Sequence, residues 1–370
     1  RWKGSCLDTL TGNIQMMDTR QEADSTVVRR KWYLHDSLLL HLEPGHSEAC
    51  IRRHIPVANE RRITVPREVA YCLSEPNVCL LDRAFYSLDN NKWHPDTGRQ
   101  EDLLRLDNRC RELLGMPPRK KLVAQPYTLP PSEKGTSVYL KFQIESLIFC
   151  GSLHLAGEFS HVKTIMWNGI PVDIAPDGRF VDDSIGTLQL PGLKAGENTL
   201  LVCQEITAGS GIENFFLLGD FGVELRGSTV RIVSKPKTIA FGSVVHQGFP
   251  FYTGNITYRI PLPVPGDIRV RVPHYHGALV EAALGTAREN IAFSPYTADL
   301  SGAGQGEELM LTFYGNRQNA FGQLHMTPGV PYYPSPDSWR STGDMWMEEY
   351  QPVEFGILGQ PEITERTDKQ

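Results

Sequence analysis

From about position 138 to 326, apolar and polar residues alternate in short bursts separated by turn chemistry, a rhythm that predicts strand after strand. Val138-Tyr-Leu-Lys-Phe-Gln-Ile144 alternates with period two, as a strand with one buried face must. Val162-Lys-Thr-Ile-Met-Trp167 runs into Asn168-Gly169, a pair that tolerates the positive φ values of a tight hairpin. Thr187–Leu190 and Thr199–Val202 flank Lys194-Ala-Gly-Glu-Asn198, a turn, and Ile268–Val272 and Glu308–Phe313 complete the set. Ile144, Leu153, Ile165, Leu188, Leu200 and Leu311 are expected to face inward. Short strands at roughly ten-residue spacing predict a mainly β chain, an antiparallel β-sandwich or jelly roll.

One segment has a different period. Between Gln100 and Leu114 the apolar positions 103, 106, 110, 113 and 114 fall three and four apart, which predicts a helix over about 100–114. Gly115 and Pro117-Pro118 end it. Residues 1–65, with short apolar runs at Ser25–Val28 and Leu38–Leu42, read as the end of a β-rich domain. The expected division is therefore 1–65, a connecting segment over 66–136 with a Pro-rich linker, a sandwich over 137–327, and an aromatic and acidic tail over 328–370. The opening Arg1-Trp-Lys-Gly-Ser-Cys-Leu reads like the middle of a longer polypeptide.

Composition narrows the partners. A chain of 370 residues with 40% hydrophobic and 22% charged residues has material for real cores. Its net charge of −6 leaves no basic stripe to neutralise phosphates, so no nucleic-acid partner is expected. Arg119-Lys120-Lys121, the one basic cluster, reads as a solvated linker. No apolar run is long enough for a membrane helix, and no leader can be read. Seven cysteines at 6, 50, 72, 79, 110, 150 and 203 include no Cys-x-x-Cys pair, which disfavours zinc, and Cys72 and Cys79 are expected to be buried thiols. The sequon Asn255-Ile256-Thr257 lies inside a strand-like run.

The densest polar chemistry is Phe313-Tyr-Gly-Asn-Arg-Gln-Asn-Ala-Phe-Gly-Gln-Leu-His325, directly after an apolar run. Trp339, Asp344, Trp346, Glu348, Glu349 and Tyr350 follow it. Together they resemble the C-terminal region of large α-L-rhamnosidase-like glycoside hydrolases. Asn77-Val-Cys-Leu-Leu-Asp-Arg-Ala-Phe-Tyr-Ser-Leu-Asp89, Leu114-Gly115 with Gln125-Pro-Tyr127, Glu213–Val223 and Gln247–Tyr258 extend the resemblance over roughly 69–358. Asn168-Gly169 and Leu193-Lys-Ala-Gly-Glu-Asn-Thr-Leu200 are similar to galactose-binding-like jelly rolls. The resemblance implies carbohydrate and the catalytic domain of the same or a parent polypeptide as partners, and a secreted or periplasmic location. It also implies that the catalytic acid and base sit in a barrel upstream of this chain.

Sugar rings pack their C–H faces on aromatics while Asn, Arg and His bond the hydroxyls. The candidate carbohydrate contacts are Asn316, Arg317, Asn319, His325, Gln247, Tyr252, Trp339 and Trp346; the competing reading buries the aromatics as core. Arg317 suits a bidentate carboxylate, with Asp344, Glu348 or Glu349 of the tail as the candidates, and a buried clamp of that kind is expected. No catalytic pair is assigned: Glu213 with Asp220, and Asp344 with Glu348 or Glu349, are local pairs that turns and backbone bonding explain. No cofactor or metal is assigned. His274-Tyr-His276 lacks a third ligand, and a structural calcium at Asp177, Asp182 or Asp183 competes with an ordinary Asp-Gly turn. Three functions remain open: an accessory β region of a glycoside hydrolase, a free-standing carbohydrate-binding module, and a complete small glycosidase using Glu213 or Asp344.

Overall fold

The computed structural model describes residues 2–7, 12–17, 19–28, 32, 37–45, 59–118, 135–207, 210–263, 265–304, 306–329 and 341–367. The basic cluster 119–121, the Pro-rich linker, Cys50, the Gln125–Tyr127 block and Trp339 lie outside the described residues. The chain is mainly β, built from antiparallel sheets packed as sandwiches.

Contacts divide the chain into two compact units. One holds residues 68–257 and 314–358; the other holds 1–67, 258–313 and 359–370. The expected 137–327 sandwich is thus shared between two units. Period two identifies strands but not their partners.

In the first unit, one sheet runs in the order Glu101–Asp102, Arg83–Ser87, Thr136–Ser146, Gly196–Ile206, Val162–Trp167, Ile170–Val172. The hairpin Gly222–Arg226 and Thr229–Val233 joins it through a short parallel contact, Glu145↔Arg231. The facing sheet runs Gly178–Phe180, Asp182–Leu190, Leu153–Gly157, Phe215–Gly219, Asn77–Leu81. The longest pairing aligns Thr136–Ser146 with Gly196–Ile206 over eleven residues. Its alternation puts Val138, Leu140, Phe142 and Ile144 into the core with Leu155, Trp167, Leu200 and Leu217. Each such side chain contributes about 1.5–3 kcal/mol on burial. At the Val162–Trp167 hairpin both Asn168 and Gly169 have positive φ, as their sequence requires.

The helix spans Leu103–Leu113, with Asp102 capping the Arg105 amide at 3.1 Å. Leu103, Leu106 and Cys110 are buried, whereas Leu113 is half exposed. Gly115 leaves the helix with φ +66°.

In the second unit, Thr297–Ala303, Gly266–Arg271, Glu362–Thr367 and Asn59–Ile63 form an antiparallel sheet in that order. Ile256–Pro261, Glu308–Tyr314, Leu279–Leu284 and Ala287–Ile291 lie side by side in a further sheet. Leu311 is buried as expected, but it belongs to this unit and not to the core cluster that holds Leu200. A three-stranded sheet, Ile14–Met16, Trp2–Leu7, Leu39–Pro44, and a hairpin of Thr19–Glu22 with Ser25–Val28 belong to the same unit.

The strand Glu68–Leu73 turns Cys72 outward, which corrects its expected burial; Cys79 is buried. The six described cysteines are unpaired.

Candidate functional site

The chain crosses from one sheet of the first unit to the other at a single residue, Asp82, between Asn77–Leu81 and Arg83–Ser87. That corner collects side chains from three distant stretches. Tyr350 donates its hydroxyl to Asp82 Oδ1 at 2.5 Å, and His325 Nε2 lies 3.3 Å from Asp82 Oδ2. His325 Nδ1 faces the Met347 carbonyl at 3.1 Å, and its ring packs against Tyr350 and Trp346. Arg83 donates to Glu348 twice, to Oε1 at 2.5 Å and to the carbonyl at 2.7 Å. Arg105 grips the Ser341 carbonyl and lies 4.3 Å over the Trp346 ring.

Burial sets the electrostatics here. Asp102, 8% exposed at the head of the helix, is pushed up to about 6 by desolvation and then by the neighbouring Asp82. Burial and Asp82 hold the Tyr350 phenol well above its usual value, so it stays a donor. The Cys79 thiol is pushed up to about 12 for the same two reasons.

Beside this corner a cleft of about 530 Å³ opens. Arg83, Arg99, Gln100, Gln143, Glu145 and Glu348 supply its polar lining, with Asp82 and Tyr350. Gln100 makes one wall by pairing with the Gln143 backbone in both directions, at 2.8 and 3.1 Å. The volume and the convergent polar groups suit a small ligand.

The expected sugar contacts are placed differently. Tyr252 is fully buried, donating to the Asn255 carbonyl and accepting from the Ser74 amide, and burial raises it to about 12. Asn319, also fully buried, imitates a strand partner by bonding Val353 in both directions. Gln247 does the same for Ala240. Asn316 caps the Gln318 amide. These amides and the phenol are directed at the protein's own backbone, because buried peptide groups need partners.

Arg317 pairs with Glu75 and bonds Thr253 Oγ1 at 3.2 Å, which corrects the expected partner among Asp344, Glu348 and Glu349. Glu348 belongs to Arg83 instead, and Arg317 is 42% exposed rather than buried. The expected approach of the loop to the segment 339–350 holds over its described part: Met347 N bonds the His325 carbonyl, and Thr327 N bonds that of Met345. A Cβ at Gly315 would collide with the Phe355 ring and the Gly254 carbonyl, so glycine lets the backbone pass closely there.

Sequence reasoning singled out neither Arg83 nor Asp102 as a site residue. The signal for Arg83 lay in its place directly after Asp82 in a strand-like run; Asp102 has the form of a helix N-cap. Among the described residues no group of three or more His, Cys, Asp or Glu could hold a metal. Asp177 accepts from Thr187, Asp182 caps Ser184, and Asp183 pairs with Arg179. No described helix is long and apolar enough to cross a membrane.

No protein-family model matches the chain, and no curated protein matches it. Among solved structures it is similar to a GH2 beta-galacturonidase from Eisenbergiella tayi, at 11% identity over 67% of this chain and 37% of that one, with a TM-score of 0.21. A Paenibacillus xanthan lyase is similar at 10% identity over 69% of this chain and 25% of that one, with a TM-score of 0.16. An anti-sigma factor domain-containing protein aligns at 10% identity over 52% of this chain and 79% of that one, with a TM-score of 0.18. The chain spans well under half the length of either enzyme. Likeness this loose carries no argument about function.

Proposed function

We propose that this chain is a non-catalytic, carbohydrate-associated β-sandwich region of a larger α-L-rhamnosidase-like glycoside hydrolase. In this reading the first unit is a galactose-binding-like jelly roll that braces the catalytic domain and holds glycan in the cleft beside Arg83. One observation carries it. Three of the sequence blocks behind the family resemblance converge on one corner: Asp82 and Arg83 of the first, His325 of the polar loop, and Trp346, Glu348 and Tyr350 of the tail. Most of their polar groups lock the fold, and the remainder line a cleft whose carboxylates, amides and guanidinium groups suit sugar hydroxyls.

Calorimetric titration of the whole chain with rhamnose-, galactose- and uronate-containing oligosaccharides tests the binding half. Saturable binding that weakens about tenfold in Arg99→Ala is expected, the change of one good polar contact. Absence of binding across the panel would remove the glycan role. Aryl rhamnosides should show no turnover above buffer. Turnover abolished by Glu213→Gln or Asp344→Asn would replace this reading with that of a complete glycosidase.

A further inference from the structure

His325 faces two acceptors. A carbonyl oxygen has no proton to give, so the contact of Nδ1 with the Met347 carbonyl at 3.1 Å requires the proton on Nδ1. Nε2 then faces Asp82 Oδ2 at 3.3 Å, and two lone pairs cannot make that contact. A second proton must lie between them, on the imidazole or on the carboxyl. A neutral imidazole beside an ionised Asp82 has one N–H for two acceptors, and one contact then fails.

The surrounding groups leave this proton isolated. From the strand Asn77–Leu81 comes Cys79, whose thiol stays protonated. Arg83 follows from the next strand, held by Glu348. The helix head supplies Asp102, which ionises above about 6, and the helix itself supplies Arg105 over the Trp346 ring. The tail supplies Tyr350, a donor throughout. Loss of the shared proton would therefore set an ionised Asp82 and an ionised Asp102 in one buried neighbourhood with a neutral His325.

We propose that the proton shared by His325 and Asp82 is a latch holding the segment 341–351 against the sandwich, and that alkaline conditions release it. Glu348 and Tyr350 of that segment form one wall of the cleft, so the latch regulates the cleft. This consequence for ligand rests on the cleft reading above; the latch does not. While the proton is present, Met347 N bonds the His325 carbonyl, Gln351 N bonds that of Leu324, and Tyr350 N bonds that of Gly227. These three amides report the state of the segment.

Hydrogen exchange of the whole chain, corrected for the intrinsic effect of pH, is measured on either side of neutrality, at about pH 5.5 and about pH 8.5. Protection of the peptide carrying Met347, Tyr350 and Gln351 should fall about tenfold or more at the higher pH, the scale of one charge-assisted hydrogen bond. Asp82→Asn keeps both contacts, because its amide donates to a neutral Nε2 and its oxygen accepts from Tyr350, yet it has no proton to lose. Its protection should be the same at both pH values. His325→Gln, the alternative should Asp82→Asn fold poorly, should also be flat. Asp102→Asn should retain the wild-type difference.

Equal protection in the wild type at both pH values overturns the latch, and so does a full difference in Asp82→Asn. Disappearance of the difference in Asp102→Asn would assign the proton to Asp102 and overturn it as well. Since no sugar is present, a failed glycan titration leaves this result untouched, and flat exchange leaves glycan binding untouched.

Discussion

The two units differ in where their ion pairs lie: among the described residues, buried pairs occur in one and surface pairs in both. In the unit of residues 68–257 and 314–358, beside surface pairs such as Lys163 with Glu205 and Arg231 with Glu145, some pairs are inside: Arg111 and Asp107 are 1% and 2% exposed, and His325 and Asp82 are 3% and 11% exposed. In the other unit the described ion pairs lie on the surface of its sheets, as with Arg269 and Arg366 on Asp299, Arg259 on Glu308 and Arg271 on Glu362. Surface pairs decorate a sheet that its core already specifies. Buried ones determine which segments meet, because a stranded charge penalises every alternative arrangement. The residues behind the family resemblance fall mostly in the first unit, and their chemistry is mainly of this specifying kind.

The comparison breaks most sharply at Arg111. Its guanidinium bonds Asp107 and the carbonyls of Thr207 and Ser210, so Arg111→Leu should lower stability by about 3–5 kcal/mol in urea melts. A loss below about 1 kcal/mol would show that the buried pair specifies nothing. Asp102→Asn should act in the other direction. A carboxyl raised from 3.8 to about 6 in the folded state contributes stability below the lower value and loses it as pH rises through the upper. The amide keeps the helix cap and escapes that loss, so the variant should be more stable by roughly 1–3 kcal/mol above about pH 6. The gain should fade towards pH 4 in melts across a pH series.

The smallest effects sharpen the contrast. Arg317→Ala should cost no more than about 1 kcal/mol, because its side chain is 42% exposed in the pair with Glu75. A loss of several kcal/mol would restore the buried clamp expected from sequence. Arg269→Ala in the other unit should cost roughly 0.2–1 kcal/mol, and salt should shrink that further. Salt-insensitive loss at Arg269 would mean that the two units do not differ in kind.

What sequence disclosed follows the reach of its signals. The strand Thr136–Ser146, the Asn168-Gly169 hairpin and the end of the helix at Gly115 depend on periodicity and turn chemistry within a few residues, and the structure has all three. Strand partnership is non-local, so nothing in Glu308–Phe313 itself announces that Leu311 joins a different core from Leu200. Arg317 shows the same limit: the carboxylates expected for it were 344, 348 and 349 of the tail, whereas its partner lies 242 residues away. At Tyr252, Gln247 and Asn319 the residue types were suggestive, but a polar side chain aimed at buried backbone has the same letter as one aimed at a sugar. Orientation, unlike periodicity, leaves no trace in one sequence.

The bond from Tyr350 to Asp82 spans 268 residues, and it sets a schedule for biosynthesis. At about 5–20 residues per second, Asp82 leaves the ribosome roughly 13–54 s before its phenol partner exists. The second unit waits as well, since Ile63 pairs with Ile363. Neither unit can close co-translationally from the front. The nascent chain therefore carries open strand edges until the strand around Ile363 has been made, and it is through that interval that it needs protection from aggregation.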